Sequence, residues 1–192
     1  MIFSGSHYNR RLFIVLSDGT LDTELSLSIV QPFDVTCIDD QTVAVTTFND
    51  NRIQIIDTKA KQVTKTIKTG ASRVKDDTIK NDLSYITTSG ENIYYTDNDA
   101  TVKCYSVKGD KRWEYKNESI MSATGIAVDQ HGIVYVMSNR NKSVVLISAD
   151  GKNSRTLLTE KDGIQKSYGI YFHIDKLYVV SISRVLLKFD IA

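Results

Sequence analysis

Proline is nearly missing from this chain: Pro32 is the only one in 192 residues. That excludes collagen-like and proline-rich low-complexity architectures. Cysteine is almost as scarce. Cys37 and Cys104 cannot form a disulfide framework and are expected to be small buried hydrophobes in a reducing compartment. Charge of one sign is missing too, since 24 Lys and Arg stand against 23 Asp and Glu, for a net charge of +1. Such a balance gives no global attraction to nucleic acid or to a membrane surface. No apolar run is long enough to span a bilayer. The opening MIFSGSHYNRR puts its basic residues after a short apolar stretch, the reverse of an export signal. A cytoplasmic location is therefore expected, with no membrane and no DNA partner. Helical periodicity is the last absence.

What the chain does have is a repeat of short β-rich runs punctuated by Gly, Asn and Asp. One class of run begins at Leu12, Ile53, Val102, Val144 and Val185, in steps of 41, 49, 42 and 41 residues. A second class precedes it and begins at Val43, Ile93, Val134 and Leu177, in steps of 50, 41 and 43. Two strand classes keeping one period, of about 40–45 residues with four short strands in each unit, are the mark of β-propeller blades. The clearest unit opens with Gly125-Ile126-Ala127-Val128-Asp129 as inner strand and turns at Gln130-His131-Gly132.

The expected fold class is thus all-β: a propeller of four-stranded antiparallel blades. Three full blades, 31–69, 82–118 and 123–160, stand between two partial ones, 1–28 and 167–192. Residues 83–87 are the expected inner strand of the second full blade. The long 49-residue step puts a polar surface loop at 70–82. Because the first partial blade lacks an inner strand and the last lacks an outer one, the chain reads as an incomplete arc. Its open blade edges are expected to favour self-association.

The segment Asn51-Arg52-Ile53-Gln54-Ile55-Ile56-Asp57 and the opening Gly125-Ile126-Ala127-Val128-Asp129, followed by Val134-Tyr135-Val136, resemble the NHL repeat. The likeness runs over nearly the whole chain from Leu12 onward and is greatest to the C-terminal NHL propellers of invertebrate tripartite-motif (TRIM-NHL) proteins. It implies an interaction module that binds a protein, or less favourably RNA. In that family a RING and B-box region with zinc-binding Cys and His clusters supplies ubiquitin ligase activity, and this chain carries none of those clusters. The segment Ile93-Tyr94-Tyr95-Thr96-Asp97 also resembles the repeat signature of lipoprotein-receptor propellers, but it occurs once.

Motifs of catalysis are not found: no phosphate loop, no Gly-x-Ser-x-Gly elbow, no Cys-x-x-Cys pair and no His-Glu-x-x-His helix. His7, His131 and His173 fall in different units, and His131 is expected to be solvated in a turn. Asp97-Asn98-Asp99 begins like a calcium loop without completing one. The rival class is a propeller hydrolase or lactonase with a metal in the central channel, for which the inner strands offer only Asp34 and Asp129. No catalytic residue, cofactor or metal is therefore assigned.

The partner-binding residues expected are Arg11, Arg52, Arg140, Lys142 and Arg184. Arg11, Arg52 and Arg184 hold one repeat position, just before the third strand, where other blades have Thr101 and Ser143. Arg140 and Lys142 lie in the corresponding turn of the last full blade. In a propeller these turns gather on one face with the loops between blades. Loops on a rigid scaffold are where recognition concentrates, although the same arginines could simply pair with turn carboxylates such as Asp50 or Asp99. Tyr94, Tyr135 and Tyr178 recur within one strand class and are expected to pack between blades.

Overall fold

A computed structural model describes residues 2–6, 11–15, 18–26, 31–47, 52–68, 85–96, 101–183 and 185–191. Among them the regular structure is all β-strand apart from one short 3-10 turn, Glu160–Asp162. Within each sheet, strands consecutive in sequence lie side by side and pair antiparallel. The chain forms two compact units, residues 1–86 and 87–192.

The first unit holds a three-stranded sheet, β1 (Ile2–Ser6), β2 (Arg11–Val15) and β3 (Leu21–Ser26), in that order. A four-stranded sheet follows: β4 (Pro32–Cys37), β5 (Thr42–Thr47), β6 (Arg52–Asp57) and β7 (Gln62–Lys68). The lone proline is the first residue of β4, where a strand tolerates the loss of an N–H donor. Successive side chains in a strand point to opposite faces, and β2 shows it: Leu12 and Ile14 are buried while Arg11 is exposed. Leu12, Ile14 and Leu25 form one core with Val43, Val45 and Ile56 of the second sheet. The face that a sheet turns toward its successor is termed forward here, and the opposite face rear.

The second unit contains two four-stranded sheets and a three-stranded one. The first is β8 (Ile86–Ser89), whose opening residue Ile86 counts with the first unit, β9 (Asn92–Thr96), β10 (Thr101–Ser106) and β11 (Lys111–Lys116). The next is β12 (Ala123–Val128), β13 (Val134–Ser138), β14 (Ser143–Ile147) and β15 (Ser154–Leu158). The last is β16 (Ser167–His173), β17 (Lys176–Ser181) and β18 (Leu186–Asp190). This is the blade pattern of a β-propeller, with strands one to four side by side in sequence order.

The junction between the last two sheets shows what holds blades together. Ala127, Tyr135, Met137 and Val144 on the forward face of one meet Leu177 and Val179 of the next, with Ile170, Phe172, Leu187 and Phe189 packed alongside. The Tyr135 ring stacks on Phe172 with centroids 5.2 Å apart and planes 14° off parallel. Such a pair contributes about 0.5–1.5 kcal/mol beyond the area it buries. Strands β12 and β16 run so close that a Cβ on Gly125 would lie 3.0 Å from Ile170 Cγ2 and 3.2 Å from its backbone nitrogen. The preceding junction uses Trp113 on β11. Its indole lies over Gly151 in the β14–β15 turn, and Nε1 donates to the Ala149 carbonyl at 3.0 Å. Tyr94 packs on the same indole at 5.9 Å.

Several expectations need correction. Arg11, Arg52, Thr101 and Ser143 do not precede the third strand of their blades but are its first residue. The last such strand starts one residue later than expected, at Leu186, because Leu186 pairs with Val180. The inner strand expected over 83–87 begins at Ile86 and ends at Ser89; Leu83 and Ser84 lie outside the described residues. Cys104 is buried as expected, but Cys37 is exposed, since it ends β4 at the turn into β5. The 70–82 loop, Asp50, His7 and the Asp97-Asn98-Asp99 segment lie outside the described residues.

Two substitutions test this packing. Gly151 has φ +71°, and a Cβ there would sit 2.5 Å from Trp113 Cδ2, whereas at Gly90 (φ +55°) a Cβ would meet nothing within 4 Å. Gly151→Ala should therefore cost about 1–3 kcal/mol more than Gly90→Ala in urea unfolding followed by Trp113 fluorescence. The β16–β17 hairpin turns through Ile174 (φ 41°) and Asp175 (φ 57°), a two-residue left-handed turn that disfavours a β-branched side chain. Ile174→Asn should raise stability by about 1 kcal/mol in the same assay.

Candidate functional site

The four-residue turn from β13 to β14, Asn139-Arg140-Asn141-Lys142, is locked to the loops on either side of its blade. On one side lies the 117–122 segment that leads into β12. The Asn139 N–H donates to Ser122 O at 3.1 Å and the Arg140 N–H to Met121 O at 3.2 Å. Asn141 Nδ2 donates to Ser119 O at 3.0 Å and to Glu118 O at 3.3 Å. Ser138 Oγ accepts from the Met121 N–H at 2.9 Å. On the other side lies the 159–166 segment that leads to β16. The Ser167 N–H donates to Asn139 Oδ1 at 3.1 Å, and Lys142 Nζ meets Glu160 Oε1 at 2.5 Å. The β17–β18 turn joins through the Ile182 N–H, which donates to Lys166 O at 2.8 Å.

Each linking loop is also pinned from within by an isoleucine with no exposed surface, Ile120 in one and Ile164 in the other. The 3-10 turn in the second loop carries a capping box: Thr159 Oγ1 accepts from the Lys161 N–H, and the Thr159 N–H donates to Asp162 Oδ2. It closes at Gly163 with φ 88°, a left-handed position that glycine adopts without strain. The result is a platform of hydrogen-bonded backbone that presents side chains of both signs. Arg140, Lys161 and Lys166 are exposed alongside Glu118, Glu160 and Asp162.

The expected binding residues have different fates. Arg140 and Lys142 both lie on this platform. Lys142 adopts φ 49° and shares its charge with Glu160. Arg11 and Arg52 belong to the first unit and are exposed at the start of their strands. Arg11 pairs with Glu24 on the neighbouring strand at 2.5 Å, not with a turn carboxylate. Arg184 lies outside the described residues. The bonding role of Asn139 and Asn141 was not foreseen, although Asn at the first and third positions of a short turn is a usable signal for side-chain-to-backbone bonding. His131 is exposed in its turn as expected, and His173 ends β16 beside the turn that leads to Leu177.

The two inner-strand carboxylates are engaged in backbone bonding. In the first unit Asp34 accepts from the N–H groups of Val35 and Ile86, both at 2.9 Å, and burial pushes its pKa up. In the second unit Asp129 Oδ1 accepts from the N–H groups of His131 and Ile133 at 2.9 Å, while Oδ2 accepts from the Tyr135 hydroxyl at 3.1 Å. Burial first, and then the Asp129 carboxylate, push the Tyr135 hydroxyl well above its ordinary pKa, so it remains a protonated donor. Among the described residues no three His, Cys, Asp or Glu side chains group as metal ligands, and no helix is long and apolar enough to cross a membrane.

A second surface feature lies on the last sheet of this unit. An open groove of about 490 Å³ runs over its forward face, lined by Gly169, Tyr171, His173, Tyr178, Val180 and Leu186. Tyr171 is 63% exposed and Leu186 61%.

Comparison with known proteins adds to the fold. No family model matches the chain, and no curated protein matches it in sequence. Among solved structures it is similar to selenomethionine-substituted virginiamycin B lyase from Staphylococcus aureus, with a TM-score of 0.67 at 14% identity over 96% of this chain. The chain spans 64% of the length of that protein. The likeness carries the propeller fold alone.

The buried carboxylate has a consequence for pH. Because the folded-state pKa of Asp34 is raised, the native state holds its proton more tightly than the unfolded chain does. Its contribution to stability is therefore greatest below the ordinary carboxylate pKa and is lost as pH rises through the raised value. Stability measured against pH for the natural chain and for Asp34→Asn should show this: the natural chain loses ground to the variant as pH rises across that window.

Proposed function

We propose that this chain is a non-catalytic interaction module of the NHL type, an arc of a cytoplasmic tripartite-motif-like protein, and that a protein partner docks on the loop platform. The observation that carries the reading is the platform itself. The β13–β14 turn and both linking loops are tied together by hydrogen bonds from Asn139 and Asn141, so their side chains are presented at little entropic cost on binding. Mixed exposed charge favours a protein over RNA, whose phosphates would call for a predominantly basic surface. In this reading the chain recognises a substrate, and a RING region elsewhere in the parent protein supplies ubiquitin transfer. Arg11, Arg52 and Arg184 extend the same role to other blades.

The metal-hydrolase alternative is weaker. Asp34 and Asp129 belong to different units and each already caps local backbone, Asp34 through the N–H groups of Val35 and Ile86 and Asp129 through those of His131 and Ile133, and among the described residues neither is joined by two further metal-binding side chains. The similar solved structure is named a lyase, and nothing in the described residues carries that name over to this chain.

The test is affinity capture with the natural chain and with the double variant Arg140→Glu, Lys142→Glu, counting protein and RNA equally. Both side chains are on the surface, so the thermal midpoint should change little while capture of the specific protein partner falls by tenfold or more. Capture of RNA, with affinity falling steeply as salt is raised, would replace the protein reading by the nucleic-acid one. Unchanged capture in the double variant would remove the platform as the site.

A further inference from the structure

We infer that the loop platform takes an acidic partner: an extended, unphosphorylated peptide segment whose Asp and Glu side chains meet Arg140, Lys161 and Lys166. This deepens the docking proposal above and rests on it.

The charges of the platform divide into engaged and free. Lys142 Nζ and Glu160 Oε1 hold each other at 2.5 Å. Asp162 turns one carboxylate oxygen onto its own loop, where Oδ2 accepts from the Thr159 N–H at 2.9 Å and from Thr159 Oγ1 at 3.1 Å. Arg140, Lys161 and Lys166 are exposed, and none has an ion-pair partner among the described residues. Glu118 is the one carboxylate of the platform in the same state. What the platform offers a partner is therefore mostly positive, although its overall charge is mixed.

The free cations form a row. Lys161 follows β15, the outer strand of its sheet, and Lys166 immediately precedes β16, the inner strand of the next. Arg140 joins the inner end, because the N–H of Ser167, which follows Lys166, is bonded to Asn139 Oδ1, next to Arg140. Outer and inner strands stand three strand places apart at about 4.8 Å each, so the row is on the order of 14 Å long. An extended peptide covers that length with about four or five residues at roughly 3.3 Å each. A phosphorylated side chain is held by cations that converge on one spot, whereas carboxylates set along an extended chain match a row. The row is also fixed before a partner arrives: Ile120 and Ile164 pin the loops, and Ser122 (φ 55°) and Lys142 (φ 49°) hold left-handed backbone beneath it. Nucleic acid fits less well. The segments 117–122, 139–142 and 159–166 contain no aromatic side chain for a base to stack on, and Glu118, Glu160 and Asp162 would lie beside its phosphates.

Selection of a displayed library of random short peptides on the full natural chain, read by sequencing, tests the inference. Enriched peptides should carry clustered Asp and Glu. A synthetic peptide of an enriched sequence should bind at least tenfold more weakly once its Asp and Glu are replaced by Asn and Gln. The triple variant Arg140→Gln, Lys161→Gln, Lys166→Gln should also lose that peptide by tenfold or more while keeping its thermal midpoint, since all three side chains are exposed. Lys161→Gln and Lys166→Gln made singly, each with a smaller loss, give the same reading should the triple variant misfold. Lys152→Gln, in the β14–β15 turn at the other end of the blade, should bind as the natural chain does. Enrichment of neutral, apolar or basic peptides, no enrichment at all, or an equal loss in Lys152→Gln overturns the inference. Its failure is separable from failure of the docking proposal. Capture that still falls in the Arg140→Glu, Lys142→Glu variant, while no acidic peptide is selected, keeps the platform as the site and overturns only the acidic partner. Capture unchanged in that variant removes the platform and the acidic partner together. A random RNA pool that binds the natural chain more tightly than the selected peptides overturns the inference in favour of nucleic acid.

Discussion

A propeller blade has two apolar faces and no means of hiding both by itself. In this chain that constraint governs the rest. Tyr135, Met137 and Val144 on one face and Val134, Val136 and Val145 on the other are all buried, and the sheet that carries them is one strand layer thick. Burial of these side chains is worth about 1.5–3 kcal/mol each, and a neighbouring sheet is what supplies it. Stability in such an array is a sum of junctions, not a property of any one blade. The glycines belong to the same constraint. Gly125 lets two inner strands approach, and Gly151 makes room for an indole; both are positions where a side chain would push two blades apart.

The blade pattern was legible because its signals are local. Alternation of apolar and polar residues defines strands, and a period near 42 residues defines blades; both can be counted. The strand classes beginning at Val43, Ile93, Val134 and Leu177 fall on β5, β9, β13 and β17. Boundaries were less legible. A residue such as Arg11 is polar and flanks a turn, yet its backbone is paired with Ser26 on one side and Ser6 on the other. Pairing is decided by the partner strand, which local composition does not report. Cys37 shows the same thing in reverse: its residue type favours burial, but its position at the end of β4 exposes it.

The candidate site was half legible. Arg140 and Lys142 were found because charge in a turn is visible in sequence. The groups that hold the turn in place were not, because they are backbone carbonyls of Glu118, Ser119, Met121 and Ser122, some twenty residues upstream. A carbonyl has no residue identity, so no composition rule points to it. The carboxylates illustrate the opposite error. Asp34 and Asp129 are acidic residues on or just past inner strands, which in sequence is compatible with a metal. In the fold their oxygens are met by backbone N–H groups and by Tyr135. A carboxylate that accepts several such bonds stabilises the turn or strand it caps, which accounts for an acidic residue at these positions without a metal.

Tyr178 shows how the surroundings of one residue type can differ along a repeat. Tyr94, Tyr135 and Tyr178 share a position, and in sequence they carry the same meaning. Tyr94 is 2% exposed and Tyr135 1%, while Tyr178 borders an open groove. The difference lies in what stands in front of each ring, not in the residue or its strand. The ring, the hydroxyl and the strand position are the same in all three, so the residue type alone does not report whether its face is covered. In an array of equivalent sheets the physics that joins one blade to the next is therefore also the physics available for joining one molecule to another.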